Sequence, residues 1–189
     1  MKGRMDMYAY CLFCNTMRAE QVAEDLQRRH GWQAINPKYI KRKWVKGVCH
    51  EVLQDFLPGY VFVYTETPIG NPLSLRKRDY VLRCLGDPDA GYVLSGGDRA
   101  FAEMIYNNNG IIGILKAYQV GDRVKLVEGA LGGFEGEIIK LERHKGRAQI
   151  RYEFNGAVYK SWVSYDLIEQ QVVVPKVEEE APVKQQGQS

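Results

Sequence analysis

The sequence predicts an α+β fold, in which strands and helices alternate over the first part of the chain and a small β-barrel follows. The first helix shows as an apolar stripe of residues three or four positions apart, which is the spacing of one helix face. This stripe consists of Ala19, Val22, Ala23 and Leu26. The barrel is predicted over residues 121–169, where glycines separate short apolar runs. Glycine permits the tight turns that short, strongly curved strands need.

Two runs of aromatic and small apolar residues predict buried strands in the first part of the chain. They are residues 8–14 and 60–64, and the second lacks polar alternation, which is typical of a central strand. Between them lies the first helix, for which Asn15 or Thr16 is the predicted cap. Gly31 is expected to end this helix in a left-handed conformation.

Two further helices are predicted before the barrel. One begins at Asn71-Pro72, because proline suits the first helical position, and closes at Gly86. The other begins at Ser95 or Asp98 and ends at Asn107. The first part is therefore expected to hold three helices.

The predicted barrel has five strands behind a short apolar connector at residues 111–118. Asn155-Gly156 is a strong signal for a two-residue hairpin turn. From Val172 onward the polar, proline-containing composition predicts a disordered tail. The strands are expected near residues 122–128, 134–142, 147–154, 157–163 and 167–171. The glycines that open the barrel are Gly121, Gly129, Gly132, Gly133 and Gly136.

Bulk composition places the chain among globular proteins. Of its 189 residues, 45% are hydrophobic and 26% charged, which is ordinary for a folded domain. No apolar run approaches the roughly 20 residues of a membrane-spanning helix, and the first residues lack the apolar core of a signal peptide. No membrane association and a cytoplasmic location are therefore the expectation.

Positive charge is concentrated in the first fifty residues. They hold ten Lys and Arg residues against four acidic residues, whereas the whole chain has a net charge of +3. Part of this charge lies in a predicted exposed hairpin with a turn at Lys46-Gly47, formed by Lys41, Arg42, Lys43 and Lys46. The pattern favours a polyanion or an acidic protein as partner. An ordinary solvated surface is an equal alternative.

The four cysteines invite a zinc interpretation that the strand pattern disfavours. They are Cys11, Cys14, Cys49 and Cys84. Cys11 and Cys14 lie three apart on a predicted strand, so their side chains point to opposite faces and cannot chelate one ion without a knuckle turn. We expect small buried side chains and no metal or other cofactor.

An enzymatic function is not expected. The three histidines, His30, His50 and His144, are scattered along the sequence. No paired acid and base accompanies the cysteines, as nucleophilic catalysis would need. A binding protein is the prediction.

Two motifs resemble those of the NusG family of transcription elongation factors. The first is Phe56-Leu-Pro-Gly-Tyr-Val-Phe-Val. The second, Gly121-Asp-Arg-Val with Gly129 and Phe134-Glu-Gly-Glu-Ile138, is similar to the family's KOW motif. The resemblance covers almost all of residues 8–170. It implies an N-terminal NGN domain over residues 1–117, with an antiparallel sheet flanked by helices. It also implies a KOW SH3-like barrel over 118–171, with 172–189 left as the tail.

The resemblance also implies partners. The NGN domain would bind the clamp helices of RNA polymerase as a monomer, through the turn formed by Phe56, Leu57, Pro58, Gly59 and Tyr60. The barrel would recruit Rho, a small-subunit ribosomal protein or RNA, and its aromatic positions for that partner correspond to Phe134 and Phe154.

A basic cluster in the barrel favours a specialised antiterminator similar to LoaP within this family. Residues 140–151 hold five Lys and Arg residues and one histidine against one acid. Such a hairpin on a neutral domain is expected of an RNA-phosphate contact, here with a leader RNA hairpin; a solvated turn is the alternative. The basic residues are Lys140, Arg143, His144, Lys145, Arg147 and Arg151.

Two other functions stay open at this point. One is a general NusG with housekeeping elongation and termination duties. The other is a ribosome-associated KOW protein that acts through rRNA, which would leave the domain of Phe56–Tyr60 unexplained. The segment Tyr159-Lys-Ser-Trp-Val163 differs from the family's usual sequence there, which favours the divergent paralog.

Overall fold

A computed structural model describes residues 7–77, 80–120, 123–126 and 137–168. Within them the fold is mixed α+β, as predicted. The helices are α1 (Ala19–His30) and α2 (Gly96–Asn107), with 3-10 turns at Thr16–Arg18, Pro72–Lys77 and Arg143–Lys145. The first seven strands are β1 (Tyr8–Cys14), β2 (Gln33–Ile35), β3 (Lys38–Val45), β4 (Val48–Asp55), β5 (Tyr60–Thr65), β6 (Val81–Leu85) and β7 (Ile111–Ile112). The remaining strands are β8 (Leu115–Val120), β9 (Arg123–Leu126), β10 (Glu137–Glu142), β11 (Arg147–Phe154) and β12 (Ala157–Leu167).

A four-stranded antiparallel sheet, in the order β2-β5-β1-β6, forms the centre of the first part of the chain. Alternate residues of β1 point to opposite sides. Tyr10 and Leu12 pack in one buried cluster with the apolar stripe of α1, and Cys11 packs in a second cluster with Phe101 of α2. The predicted central strand is confirmed, since every residue of β5 is buried.

The C-terminal cap of α1 matches the sequence prediction, whereas the N-terminal caps of α1 and α2 match it only in part. Gly31 has φ 68° and its N–H donates to the carbonyl of Gln27, as a left-handed C-terminal cap does. Asn15 accepts a hydrogen bond from the Met17 N–H and so caps the 3-10 turn ahead of α1. Ser95 precedes α2 in extended conformation, but its side chain makes no capping hydrogen bond.

The helix predicted from Asn71-Pro72 to Gly86 is wrong in its second half. A 3-10 turn covers residues 72–77, and β6 then pairs antiparallel with β1. Tyr80 has φ 71°, which a right-handed helix does not contain. The open edge of β1 offers backbone partners to Val81–Leu85, so tertiary pairing overrides the local helical pattern.

The hairpin β3–β4 is confirmed, with its turn at Lys46-Gly47. It lies in a three-stranded sheet, in the order β4-β3-β7. Residues 111–118 are not a simple connector, because they form β7 and most of β8.

The last part of the chain forms a five-stranded sheet in the order β10-β11-β12-β8-β9. The strand predicted at residues 147–154 is confirmed, and Asn155 and Gly156 turn into β12 with φ of 50° and 68°. The strand predicted at 157–163 continues to Leu167, and its last three residues pair parallel to β8. Residues 169–171 of the last predicted strand lie outside the described residues. Over the described residues this sheet is open, not a closed barrel. The five barrel glycines and the tail at 172–189 lie outside the described residues.

The five-stranded sheet packs against the α2 side of the first sheet in one continuous core. Ala148, Ile150, Tyr152 and Phe154 of β11 are buried together with Phe56, Phe62 and Phe101. This face of β11 is the one that alternation of apolar and polar residues predicts. No described helix is long and apolar enough to cross a bilayer.

Candidate functional site

The turn between β4 and β5 is held rigidly by its backbone. Its four residues are Leu57, Pro58, Gly59 and Tyr60, and the Tyr60 N–H donates to the Leu57 carbonyl at 3.2 Å. Gly59 has φ 87°, and a Cβ there would lie 3.0 Å from the Cys14 carbonyl oxygen. Only glycine suits that conformation and that spacing. The Cys14 N–H also donates to the Gly59 carbonyl at 2.7 Å, which ties the turn to β1.

Most of the predicted polymerase-binding residues are buried in this structure. Phe56, Leu57 and Tyr60 are 2%, 3% and 6% exposed, Gly59 is buried, and Pro58 alone of the five is exposed. A partner can therefore bind these apolar side chains only after the strands that cover them have moved away.

Strands β11 and β12 cover the turn. The Phe56 ring stacks on Tyr152 with centroids 5.8 Å apart, and the Tyr60 ring meets Tyr159 edge-on at 5.7 Å. The hydroxyls of Tyr60 and Tyr159 lie 2.6 Å apart and share a hydrogen bond. Burial, reinforced by that hydrogen bond, raises the pKa of Tyr60 well above its ordinary value, so the hydroxyl stays protonated.

Phe154, the predicted partner-binding aromatic of the barrel, is fully buried in the same contact. Its ring centroid lies 5.0 Å from that of Phe101 and 5.5 Å from that of Phe62. The structure thus brings Phe154 and the Phe56–Tyr60 turn together, and each covers the other. Phe134 lies outside the described residues.

Polar groups inside this contact are satisfied. The Ser161 hydroxyl donates to the Phe56 carbonyl at 2.7 Å and accepts from the Tyr152 hydroxyl at 2.8 Å. The Asn155 N–H donates to Asp98 at 2.7 Å. We call this contact, formed by Phe56, Leu57 and Tyr60 on one side and Tyr152, Phe154, Tyr159 and Ser161 on the other, the aromatic interface.

One ion pair joins β3 to β12, the strand that carries Tyr159 and Ser161 of the aromatic interface. The Arg42 guanidinium on β3 donates to both carboxylate oxygens of Asp166 on β12, at 2.7 and 3.0 Å. Hydrogen bonding to Arg42 holds the pKa of Asp166 below its ordinary value. Arg42, predicted to contact nucleic acid, therefore has an intramolecular partner here.

The basic hairpin between β10 and β11 is organised around one acid. Glu142 accepts from Arg147 at 2.7 Å and from Lys145 at 3.2 Å, and Lys140 lies 3.6 Å away. Hydrogen bonding to Arg147 lowers the pKa of Glu142 to about 2. Arg147 is also held over the Trp162 ring, 4.2 Å from its centroid.

The rest of the predicted RNA-contact set lies on the same hairpin. Arg143 and His144 are exposed in its 3-10 turn, and Gly146 ends that turn with φ 57°. Arg151 pairs with Glu137 at 2.6 Å on the neighbouring strand. All six residues predicted from the sequence are thus on one hairpin. Acidic neighbours lie beside Lys140, Lys145, Arg147 and Arg151.

Lys41, Lys43 and Lys46 lie on the other hairpin, β3–β4. Among the described residues, none of the three has an ion-pair partner. Trp44 lies between them in sequence and is 61% exposed. An exposed tryptophan among lysines is a combination that single-stranded nucleic acid can use for stacking and phosphate contact.

Sequence reasoning missed the residues that close the aromatic interface. Tyr159, Ser161 and Asp166 lie on β12, and the sequence marks Tyr159 and Ser161 only as part of a segment that differs from the family's usual one. Because β12 alternates along its length, Tyr159, Ser161 and Val163 lie on one face, which is the signal that would have identified Tyr159 and Ser161. Their partners on the first sheet carry no such signal.

The cysteines form no metal site within the described residues, where no group of three potential metal ligands occurs. Cys11, Cys14 and Cys84 are buried and Cys49 is exposed, all as free thiols. Burial raises the pKa of Cys14 to about 12 and that of Cys84 to about 11. These two thiols therefore stay protonated at neutral pH and are poor nucleophiles.

Comparisons with known proteins find similarity to solved structures. No family model and no curated protein matches the chain. A solved structure described as "Domain interaction in Thermotoga maritima NusG" is similar, with 15% sequence identity and a TM-score of 0.43. The similarity covers 84% of this chain and 93% of that one. Because the identity and the TM-score are low, the functional inference rests on the chemistry of the site and on the sequence motifs, and not on this similarity.

Proposed function

We propose that this protein is a transcription elongation factor of the NusG type, not an enzyme, and that it binds RNA polymerase through the Phe56–Tyr60 turn. The observation that carries the proposal is the aromatic interface. The turn that holds the family-like motif carries three large apolar side chains, and strands β11 and β12 of the same chain cover part of their surface. Apolar surface of this kind is a common binding surface once it is exposed.

The polar groups of the aromatic interface support the idea that β11 and β12 can separate from the Phe56–Tyr60 turn. It contains the Tyr60–Tyr159 and Ser161–Phe56 hydrogen bonds, and an exposed ion pair, Arg42–Asp166, also joins β12 to the first part of the chain. Such hydroxyl groups regain water when the sheets separate, so opening costs less than it would for a purely apolar core. A polymerase that binds only the open form would shift the chain toward it.

We propose that residues 1–117 bind RNA polymerase and that residues 118–171, a KOW-type module, bind RNA. The β10–β11 hairpin supports this assignment, because it carries six basic and imidazole side chains, three of which, Lys140, Lys145 and Arg147, lie around Glu142. The resulting function is processive antitermination by a cytoplasmic monomer: polymerase held in one clamp state, with a leader RNA hairpin as the recruiting signal. Lys41, Lys43 and Lys46 would add a nucleic-acid contact.

A transcription assay with purified polymerase tests this function. Wild-type protein should raise readthrough of a terminator that follows the leader RNA. Pro58→Asp, which changes an exposed residue of the turn and therefore spares the core, should remove the effect. Leu73→Asp, at a 42% exposed leucine outside the turn, is the matched control and should keep it. Equal readthrough with both variants would contradict the polymerase assignment.

The RNA assignment has its own test. Charge reversal at Lys145 and Arg147 should weaken leader-hairpin binding and reduce its salt dependence, since each phosphate contact contributes to the slope. Charge reversal at Arg28 and Arg76, two exposed arginines elsewhere, changes the net charge equally and should have little effect. If both double variants lose affinity alike, the hairpin is not the RNA site.

A further inference from the structure

The C-terminal end of β1 leads into an unusually exposed methionine. Met17 lies in the 3-10 turn between β1 and α1, and it is 93% exposed. A single exposed apolar residue is ordinary in a soluble protein. Here, however, two aromatic rings reach the surface at the same end of the four-stranded sheet, so Met17 is part of a larger surface.

The first of these rings belongs to Tyr80, which directly precedes β6 and is 43% exposed. The Tyr80 carbonyl accepts a hydrogen bond from the Asn15 N–H at 2.8 Å. The Arg18 guanidinium lies over the Tyr80 ring, 5.2 Å from its centroid. Tyr80 has φ 71°, a conformation that is strained for a bulky residue. The fold therefore accepts backbone strain where it holds an aromatic ring at the surface.

The second ring, that of Phe13, joins this surface to the Phe56–Tyr60 turn. A Cβ at Gly59 would lie 3.2 Å from the Thr16 Oγ1 and 3.2 Å from the Phe13 ring, so the two turns are in contact. Phe13 is half-buried, and the exposed Arg83 lies over its ring, 5.4 Å from the centroid. We call Phe13, Met17, Arg18, Tyr80 and Arg83 the sheet-end surface.

The residue types of the sheet-end surface are those of a protein-binding surface. Interfaces between proteins are enriched in aromatic residues, methionine and arginine, and the flexible methionine side chain adapts to the shape of a partner. With two arginines and no acid among its five residues, the surface is complementary to an acidic partner. Nucleic acid is less well matched, because an arginine already lies over each ring on which a base would stack.

The sheet-end surface is accessible in the closed form, by which we mean the form seen here, with β11 and β12 over the Phe56–Tyr60 turn. Phe56, Leu57 and Tyr60 are buried in this form, whereas Met17 and Tyr80 are exposed. A polymerase that approaches the closed form therefore meets the sheet-end surface before it can contact the apolar side chains of the turn.

We propose that RNA polymerase first binds the closed form through the sheet-end surface, by an apolar patch that carries acidic side chains, and that β11 and β12 separate from the turn afterwards. This inference rests on the proposed function, because it takes polymerase as the partner. It makes binding the first step and opening the second. Because the sheet-end surface adjoins the Phe56–Tyr60 turn, a polymerase bound there is in place to contact the turn as soon as β11 and β12 leave it.

Stopped-flow anisotropy with purified polymerase and the labelled full-length chain tests the first contact. Arg18→Glu/Arg83→Glu should slow the initial association about tenfold at low salt, since complementary charge accelerates association. The matched control Arg28→Glu/Arg29→Glu changes the charge equally at two exposed arginines in the last turn of α1, and it should associate like wild type. Urea unfolding midpoints check that both variants are folded.

The apolar part of the contact has a separate pair of variants. Met17→Ser should weaken the initial complex, because the methionine side chain is lost from the interface. Val48→Ser changes a 57% exposed valine on the β3–β4 hairpin and should leave the initial complex as it is. Equal effects of the two variants would overturn the assignment of Met17 to the contact.

The order of the two steps is tested by weakening the closed form. Tyr159→Phe/Asp166→Asn should leave the rate of initial association unchanged and accelerate only the later phase. Faster initial association in this variant would mean that polymerase binds an already open chain, and would overturn the proposal.

The outcomes separate this inference from the proposed function. If wild type binds polymerase and Arg18→Glu/Arg83→Glu associates equally fast, the inference alone fails. If wild type does not bind polymerase, the inference and the proposed function fail together. If the double variant keeps its polymerase association but loses affinity for leader RNA or duplex DNA, the sheet-end surface is a nucleic-acid site and the inference fails.

Discussion

At the scale of single residues, backbone geometry determines which residue can occupy position 59, and charge determines the contacts of Glu142. Gly59 is required by a positive φ and by a 3.0 Å approach to the Cys14 carbonyl. Glu142 gathers Lys140, Lys145 and Arg147 around one carboxylate. The first could be anticipated from the Pro-Gly pair in sequence. The second could not, because nothing local tells which of several cations approaches an acid.

Replacing Gly59 with alanine should destabilise the protein by about 1–3 kcal/mol, since an L residue is strained at positive φ and its Cβ meets backbone. Gly70→Ala is the matched control, because an added Cβ there meets nothing within 4 Å. Urea unfolding of both variants measures the difference. Equal midpoints would mean that the turn relaxes at no cost.

Replacing Glu142 with glutamine should change the dependence of stability on pH. The folded-state pKa of Glu142 is about 2, below its ordinary value of 4.5. Its ion pairs therefore stabilise the fold above pH 4.5, and that stabilisation is lost as pH falls from about 4.5 toward 2. Unfolding midpoints between pH 2 and 6 should fall less steeply for Glu142→Gln than for wild type. Glu153→Gln, at an exposed acid without an ion pair among the described residues, should follow wild type.

At the scale of elements, the sequence was sufficient where one pattern decided the structure. The apolar stripe of α1, the Lys46-Gly47 turn and the alternation of β11 all correspond to observed elements. The sequence was insufficient where pairing with a strand distant in sequence determined the secondary structure. Val81–Leu85 became a strand because β1 had an open edge, and Leu115–Val120 became a strand because β12 runs beside it. The same holds for the candidate site. The sequence predicted the Phe56–Tyr60 turn from a local motif, but it did not predict that β11 and β12 would cover that turn.

Substitution at Leu82 tests the strand assignment of β6. Leu82 is 54% exposed in this strand, so its packing contributes little and backbone preference decides. Leu82→Thr should be more stable than Leu82→Ala by roughly 0.5 kcal/mol, because β-branched residues favour strands. A helix would give the reverse order. Thermal unfolding of the two variants distinguishes the two structures.

At the scale of the whole molecule, the two sheets share one core in a way that hides the proposed polymerase-binding turn. Tyr159 and Asp166 close this arrangement through the Tyr60 hydroxyl and the Arg42 guanidinium. Both residues lie outside the turn itself. They therefore allow the cover to be weakened without altering the surface that polymerase would bind.

The most direct test of the central claim is the affinity of purified RNA polymerase for wild type and for Tyr159→Phe/Asp166→Asn, measured by fluorescence anisotropy. Losing one half-buried hydrogen bond and one exposed ion pair lowers the stability of the closed form by about 1–2 kcal/mol. Our account predicts up to about a 5- to 30-fold gain in affinity, which Pro58→Asp in the same background should abolish. Unchanged affinity in the double variant, or a gain that Pro58→Asp leaves intact, would contradict it.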